Sequence, residues 1–166
     1  FRYDGADNLY HCMLWLGHEF GATPYAPEEP KLLPWHGVWH PKWTEMAHCQ
    51  DAAGYLAAHY VPGRPTVGVM FYRTEWLMGD FSYQTALIEA IEAQGMNVIA
   101  IFTNTFRNEE LDSPTLMDAV NRYFFRDGAR LVDVIVNTMK FSLKAAGTSI
   151  EEWMRIDVPL LEAYTV

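Results

Sequence analysis

Cysteine, basic residues and long apolar runs are all scarce in this sequence of 166 residues. Its two cysteines, Cys12 and Cys49, are too few for a disulfide framework and lack CxxC spacing, so a reducing cytoplasm is the expected compartment. Twelve Lys and Arg stand against 21 Asp and Glu, a net charge of −9, which argues against nucleic-acid phosphates and anionic membrane surfaces as partners. No segment approaches the ~18 to 20 consecutive apolar residues that span a bilayer, so no membrane span is expected.

Several motifs of nucleotide-binding and hydrolytic enzymes are also missing. The sequence contains no GxxxxGK(S/T) phosphate loop, no GxGxxG after a strand, no HExxH and no GxSxG. Nucleotide binding by this chain itself is therefore not expected. The chain starts without Met and ends on an apolar run, so we expect it to be a piece of a longer protein.

The composition itself is typical of a folded globular protein, with half of the residues apolar and 20% charged. Residues 1–62 are predicted to form a helical prelude with a proline-rich connector. Its parts are a helix over 7–20, an extended connector over 21–41 and a second helix over 44–60.

Residues 63–166 alternate between buried strands and helices, which predicts a parallel α/β domain truncated at its C-terminal end. The strands are expected at 66–72, 97–103, 131–137 and 158–164, and the helices at 80–94, 113–128 and just after Ser149. Right-handed crossovers make this a doubly wound, flavodoxin- or Rossmann-like sheet of about four strands.

Ligands of such sheets bind beyond the carboxyl ends of the strands, and polar side chains follow each predicted strand. The candidates are Arg73, which suits carboxylates, Glu75 and Asp80 as acceptors or bases, and Asn104 and Asn137 as orienting amides. Alternatively, Arg73 pairs with Glu75 or Asp80 and the asparagines only cap loops.

His36 and His40 are four residues apart, a spacing that would place both rings on one helix face. Because Pro34, Gly37 and Pro41 surround them, a helix is doubtful, and no carboxylate or thiol completes a metal-ligand set. The six tryptophans suit either stacking on a flat ligand or packing of the prelude onto the sheet.

The stretch over 66–103, TVGVMFYRTEWLMGDFSYQTALIEAIEAQGMNVIAIFT, resembles the large subunits of cobaltochelatase and magnesium chelatase. In that family an apolar strand ends in Tyr-Arg, and a Gly-Asn pair precedes a helix that reads roughly DALIxALExxGxNVxPVF. Here Tyr72 and Arg73 fill the first pair, whereas Asp80 replaces the usual Asn after Gly79. EEPKLLPWHGVWHP, VDVIVNTMKFS and DVPLLEAY are similar to further family segments in the same order.

The resemblance implies a subunit that binds a tetrapyrrole and inserts cobalt or magnesium, while separate subunits with an ATPase module hydrolyse ATP. We expect Tyr72, Arg73, Trp76, Asp80, Asn104 and Asn137 to bind the substrate. From chemistry and position, Glu75, His36 and His40 are the candidates to accept pyrrole protons or to hand over the metal. The alternative is a non-catalytic scaffold or a docking module for the ATPase partner. A sugar- or flavin-binding domain is a weaker option, because no phosphate cradle is visible.

Overall fold

The computed structural model describes residues 3–21, 24–139 and 148–163, and its first part contains the predicted helix. Helix α1 spans Ala6–Gly21, and the extended connector after it leads to a short strand, β1, at Gly37–Val38. The prediction of one continuous helix over 44–60 was wrong. A 3-10 turn at Met46–His48 precedes helix α2 at Ala52–His59. The break occurs because Asp51 starts a new helix, its Oδ1 accepting the Gly54 N–H at 2.8 Å.

The next elements follow the predicted strands closely. Strand β2 spans Thr66–Tyr72 and β3 spans Asn97–Thr103, both buried, with helix α4 at Ser82–Ala93 between them. The loop predicted after β2 instead contains a short helix, α3, at Arg73–Met78. It ends at Gly79, whose φ of 72° is left-handed backbone that favours glycine.

Helix α5 begins later than predicted, at Leu116, and ends at Phe124. Its N-cap is Thr115, not Ser113, because the Thr115 and Asp118 side chains exchange bonds with each other's backbone N–H. A small hairpin follows, with β4 at Phe125–Arg126 and β5 at Ala129–Arg130.

The last elements complete the alternation. Strand β6 spans Val134–Asn137, helix α6 spans Ile150–Ile156 and β7 spans Leu160–Glu162. The capping box predicted for Ser149 and Glu152 is confirmed, with bonds of 2.7 and 3.1 Å. Residues 140–142 and Tyr164, which the prediction placed at strand ends, lie outside the described residues.

Among the described residues, one sheet has the strand order β1-β3-β2-β6-β7. All pairs are parallel except β1 with β3, where Gly37 lies opposite Phe102. The doubly wound parallel sheet is confirmed. Strand β1 was missed because the surrounding prolines predicted a connector without ladder bonds, yet Trp39 still donates its N–H to the Ala100 carbonyl at 2.9 Å.

The order of the strands shows where on the sheet a ligand is expected to bind. From β2 the chain moves to β3 on one side and then to β6 on the other, so the topological switch point lies between β2 and β6. Helices α3 and α4 pack on one face, and α2, α5 and α6 pack on the other.

The prelude and the sheet share a core. Val38 and Tyr55 lie in one buried cluster with Met70 and Ile101, and the Tyr55 hydroxyl donates to the Val98 carbonyl at 2.8 Å. The domain boundary near residue 62 stays a prediction. Within the described residues, no helix combines the length and apolar character required to cross a membrane.

Candidate functional site

Arg73, at the carboxyl end of β2, is 1% exposed and binds its own chain. Its guanidinium donates to Asp4 Oδ2 at 3.0 Å and to the carbonyls of Leu33 and Pro34 at 3.2 and 2.7 Å. It also lies over the Trp35 ring, 4.5 Å from the centroid. The suggested pairing with Glu75 or Asp80 is therefore wrong. Arg73 anchors the connector across the carboxyl edge of the sheet.

Glu75, on α3, is the centre of a polar network at the switch point. Its Oε2 accepts hydrogen bonds from the Tyr83 hydroxyl at 2.6 Å, from Gln84 Nε2 at 3.1 Å and from the Tyr72 N–H at 3.3 Å. The Tyr83 hydroxyl also lies 3.0 Å from Thr138 Oγ1, at the end of β6. The network thus joins the two strands that flank the switch point, and Oε1 of Glu75 accepts no hydrogen bond from the described residues.

Two members of this network were not expected from the sequence. Burial, followed by the bond to Glu75, raises the pKa of Tyr83, so its hydroxyl stays protonated at neutral pH. Gln84 is fully buried, and its Oε1 has no hydrogen-bond partner among the described residues. Only the packing of α4 against the strand ends brings them to Glu75, since both lie in a helix that reads as an ordinary amphipathic segment.

Trp76 and Asp80 are placed by local contacts. Trp76 stacks on Phe102 with the ring centroids 4.2 Å apart and 8° between the planes, so one face of the indole is already covered. Asp80 is exposed and accepts from the Ser82 hydroxyl at 2.8 Å, a bond that lowers the pKa of this carboxyl.

The two asparagines differ. Asn137 is fully buried and donates to Glu162 Oε2 at 2.9 Å while its Oδ1 accepts the Met139 N–H at 3.1 Å, as the capping alternative expects. Asn104 is half-buried, and its side chain has no hydrogen bond with the described residues.

His36 and His40 lie at opposite ends of the extended segment that contains β1, so they contact different parts of the molecule. His36 lies near the carboxyl end of β3 with its Nδ1 3.0 Å from the Tyr123 hydroxyl. Burial, then the charge of Arg122, lowers the pKa of His36. His40 instead contacts Glu92 through Nε2 at 3.1 Å, and its Nδ1 accepts the Lys42 N–H. The two rings form no joint site.

A large apolar cavity of about 870 Å³ opens between α1, the connector and α3. Its walls include Leu9, Trp15, Leu77 and Met78, and Met78 is 81% exposed. The cavity lies directly after the carboxyl end of β2. Its size and apolar walls suit a broad hydrophobic ligand.

A second, polar pocket of about 430 Å³ lies after the carboxyl end of β3, at the start of α5. His36 lines it together with two arginines that the sequence did not single out, Arg107 and Arg122. Arg107 lies in the polar loop after β3, so the sequence placed it at the carboxyl edge of the sheet. Only the tertiary fold brings Arg122 of α5 beside it. Among the described residues, no group of three or more His, Cys, Asp or Glu side chains is placed to hold a metal ion.

Comparison with known proteins gives consistent matches along the chain. An uncharacterised protein of Methanocaldococcus jannaschii is 32% identical over 145 residues, which are 85% of this chain and 11% of that protein. The aerobic cobaltochelatase subunit CobN of Pseudomonas aeruginosa is 27% identical over 160 residues, or 96% of this chain and 12% of the relative. The chain thus spans about an eighth of the length of these relatives.

The fold has a counterpart among solved structures. The catalytic subunit of cobaltochelatase from Mycobacterium tuberculosis superposes with a TM-score of 0.54 at 20% identity, covering 98% of this chain and 12% of that one. The family model for CobN/magnesium chelatase matches residues 1–166. The chain therefore belongs to the CobN/magnesium chelatase family.

Proposed function

We propose that the protein containing this chain binds a tetrapyrrole and inserts a divalent metal into it, while a separate ATPase subunit hydrolyses ATP. The observation that carries this proposal is the family match along the whole chain. The metal that we propose is cobalt, inserted into a corrin precursor, because two curated relatives are named as cobaltochelatase subunits. Magnesium insertion into protoporphyrin is the second candidate, since the family includes both kinds of enzyme.

The apolar cavity beside β2 supports the binding part of this proposal. A tetrapyrrole presents a broad flat face that is unfavourable in water, and the walls formed by Leu9, Trp15 and Met78 offer apolar surface for it. Tyr72, Asp80 and Asn104 remain candidates for polar contacts at the same edge, whereas Arg73, Trp76 and Asn137 act chiefly through the structure they hold together.

Metal insertion requires that pyrrole N–H groups lose their protons, and Glu75 is the candidate best placed to accept one. Three donors hold its Oε2, so its carboxylate is oriented before a substrate arrives, and Oε1 accepts no bond from the residues that the structure describes. Any role of His36 or His40 in proton or metal transfer would have to be separate, because the two rings lie apart.

The test uses the full-length protein, titrated with a tetrapyrrole while its Soret band and tryptophan fluorescence are followed. Met78→Glu places a charge on the cavity wall, so we expect it to raise the Kd for the tetrapyrrole about tenfold. Met154→Glu is the matched control, since Met154 is 73% exposed on α6 and lines neither cavity. Unchanged spectra with wild-type protein at high micromolar ligand would contradict tetrapyrrole binding.

A scaffold or docking role is the alternative that one observation favours. Helix α1 has no buried residue and exposes Met13 and Phe20 at 60% and 80%, a surface suited to a protein partner. If Met13→Glu abolishes the coupling of ATP hydrolysis to insertion while Met78→Glu leaves tetrapyrrole affinity intact, the docking role is the correct one.

A further inference from the structure

The polar pocket at the start of α5 collects hydrogen-bond donors from three separated segments of the chain. His36 comes from the end of the connector, Arg107 from the loop after β3 and Arg122 from α5. Ser113 is 1% exposed and lines the same pocket, where its Oγ accepts the Asn108 N–H at 2.7 Å and its hydroxyl proton is available to donate.

Most of the positively charged donors in this pocket have no hydrogen-bond partner among the described residues. Arg107 pairs with Asp112, and Arg122 donates to the Gln50 carbonyl at 3.3 Å. Arg122 also contacts Tyr123. A guanidinium has five N–H groups, so most of those on both arginines are unused within the part of the chain that the structure describes. Planar guanidinium groups match the two oxygens of a carboxylate better than any other side chain does.

The acceptors in the pocket are more fully engaged than its donors. Oδ2 of Asp118 accepts both the N–H and the hydroxyl of Thr115, at 2.7 and 2.8 Å, as part of the helix cap. These bonds lower the pKa of Asp118, so the carboxylate stays ionised and bound to the cap. Asp112 is the ion-pair partner of Arg107. An incoming carboxylate would therefore meet unused donors, with both resident acids already bonded.

His36 adds a neutral donor to this set. It is 7% exposed, and its Nδ1 contacts the Tyr123 hydroxyl, whose pKa burial raises to about 12. Since that hydroxyl stays protonated, it can donate to Nδ1, and the proton of the neutral imidazole is then on Nε2. Nε2 has no hydrogen bond with the described residues.

We propose that this pocket binds a carboxylate side chain of the tetrapyrrole, with Arg107 and Arg122 as the charged clamp and His36 and Ser113 as neutral donors. The inference rests on the proposed function, and it adds a site that would select tetrapyrroles with carboxylate side chains. The apolar cavity and this pocket follow the neighbouring strands β2 and β3, and five residues of connector separate Pro30 of one from His36 of the other. These two lining residues are thus no more than about 22 Å apart, the scale of a tetrapyrrole with extended side chains.

The test compares two ligands with the same macrocycle, uroporphyrin with its anionic acetate and propionate side chains and its uncharged, fully amidated analogue. Affinities are measured by Soret titration of the full-length protein carrying Arg107→Gln with Arg122→Gln. We expect the Kd for uroporphyrin to rise tenfold or more and the Kd for the amide to stay unchanged.

Arg126→Gln is the matched control, because Arg126 is an exposed arginine beside an aspartate, Asp127, on the β4–β5 hairpin away from the pocket. Circular dichroism checks folding, and the single variant Arg107→Gln, at a half-exposed position, replaces the double variant if that one does not fold. His36→Gln is expected to weaken uroporphyrin binding by a smaller factor, about threefold.

Each outcome decides the matter. Loss of affinity for the acid alone supports the carboxylate site. Equal affinities in variant and wild-type protein, or equal losses for acid and amide, overturn it and leave tetrapyrrole binding itself intact. If the wild-type protein binds neither ligand, the proposed function fails and the inference fails with it.

Discussion

At the scale of single residues, Arg73 shows how a side chain of apparent functional type is used by the fold. Three of its bonds go to residues about 40 to 70 positions away, Asp4, Leu33 and Pro34, which no local pattern could pair with it. Arg73 at the end of β2 therefore secures the connector, and a ligand would have to displace the protein's own contacts to reach this guanidinium.

We expect Arg73→Gln to lower the free energy of unfolding by about 3 kcal/mol. The substitution removes a buried guanidinium whose ion-pair partner, Asp4, is 51% exposed, and it leaves two carbonyls of the connector without their donor. Urea denaturation measures the change. Arg107→Gln, at an arginine whose side chain is 52% exposed, should cost less than about 1 kcal/mol, and equal losses in both variants would contradict the structural role of Arg73.

At the scale of elements, β1 depends on one glycine. The prolines around Gly37 predicted a connector without a ladder, but the missing side chain lets this segment approach β3 closely. A Cβ on Gly37 would lie 2.6 Å from the Cys49 carbonyl oxygen and 2.7 Å from the Phe102 ring. Strand β1 can pair with β3 because glycine, which has no Cβ, leaves this space to the Cys49 carbonyl and the Phe102 ring.

Gly37→Ala should therefore lower the free energy of unfolding by about 3 kcal/mol, since a backbone carbonyl cannot move aside as a flexible side chain can. Gly63→Ala is the control: nothing lies within 4 Å of its Cβ position, and only its φ of +83° opposes the change. The cost there is about 1 kcal/mol. Chemical denaturation compares the two, and a smaller loss at Gly37 than at Gly63 would refute the close contact.

At the scale of the whole molecule, stability should depend on pH through one buried and one partly buried histidine. Burial is the main cause that lowers the pKa of both His36 and His59 from 6.5, so the unfolded chain binds more protons than the folded one in acid. The free energy of unfolding then falls as the pH drops below about 6.5, by at most about 1.4 kcal/mol per pH unit for each proton.

His36→Gln removes one of the two imidazoles that bind a proton more readily in the unfolded chain than in the folded one. We expect the loss of stability between about pH 7.5 and pH 5 to be smaller in this variant by about 1 kcal/mol, measured by urea unfolding at both values. His48→Gln, at a histidine whose side chain is 53% exposed, controls for the loss of an imidazole. The same acid loss in wild type and in His36→Gln would exclude His36 as a contributor.

Elements with a strong local signal were predictable, and those that depend on distant partners were not. Strands β2 and β3 and the cap of α6 match the prediction, because continuous apolar runs and the pair Ser149 and Glu152 act over a few residues. Helix α3 was missed because its six residues lie in a segment that reads as a polar loop. The contacts of Glu75 and the meeting of Arg107 with Arg122 depend on how helices pack against strand ends.

The sequence by itself determined the doubly wound α/β class, the acidic surface and the family, since alternation, charge and motif order are all properties of the linear chain. Only the tertiary structure decided which polar residues are free to meet a ligand. It buries Arg73 against the connector, separates His36 from His40 across an antiparallel strand, and brings Arg107 and Arg122 into one pocket. The physical reason is that hydrogen-bonding capacity is shared among residues far apart in sequence, and only folding shows which donors the protein itself has already used.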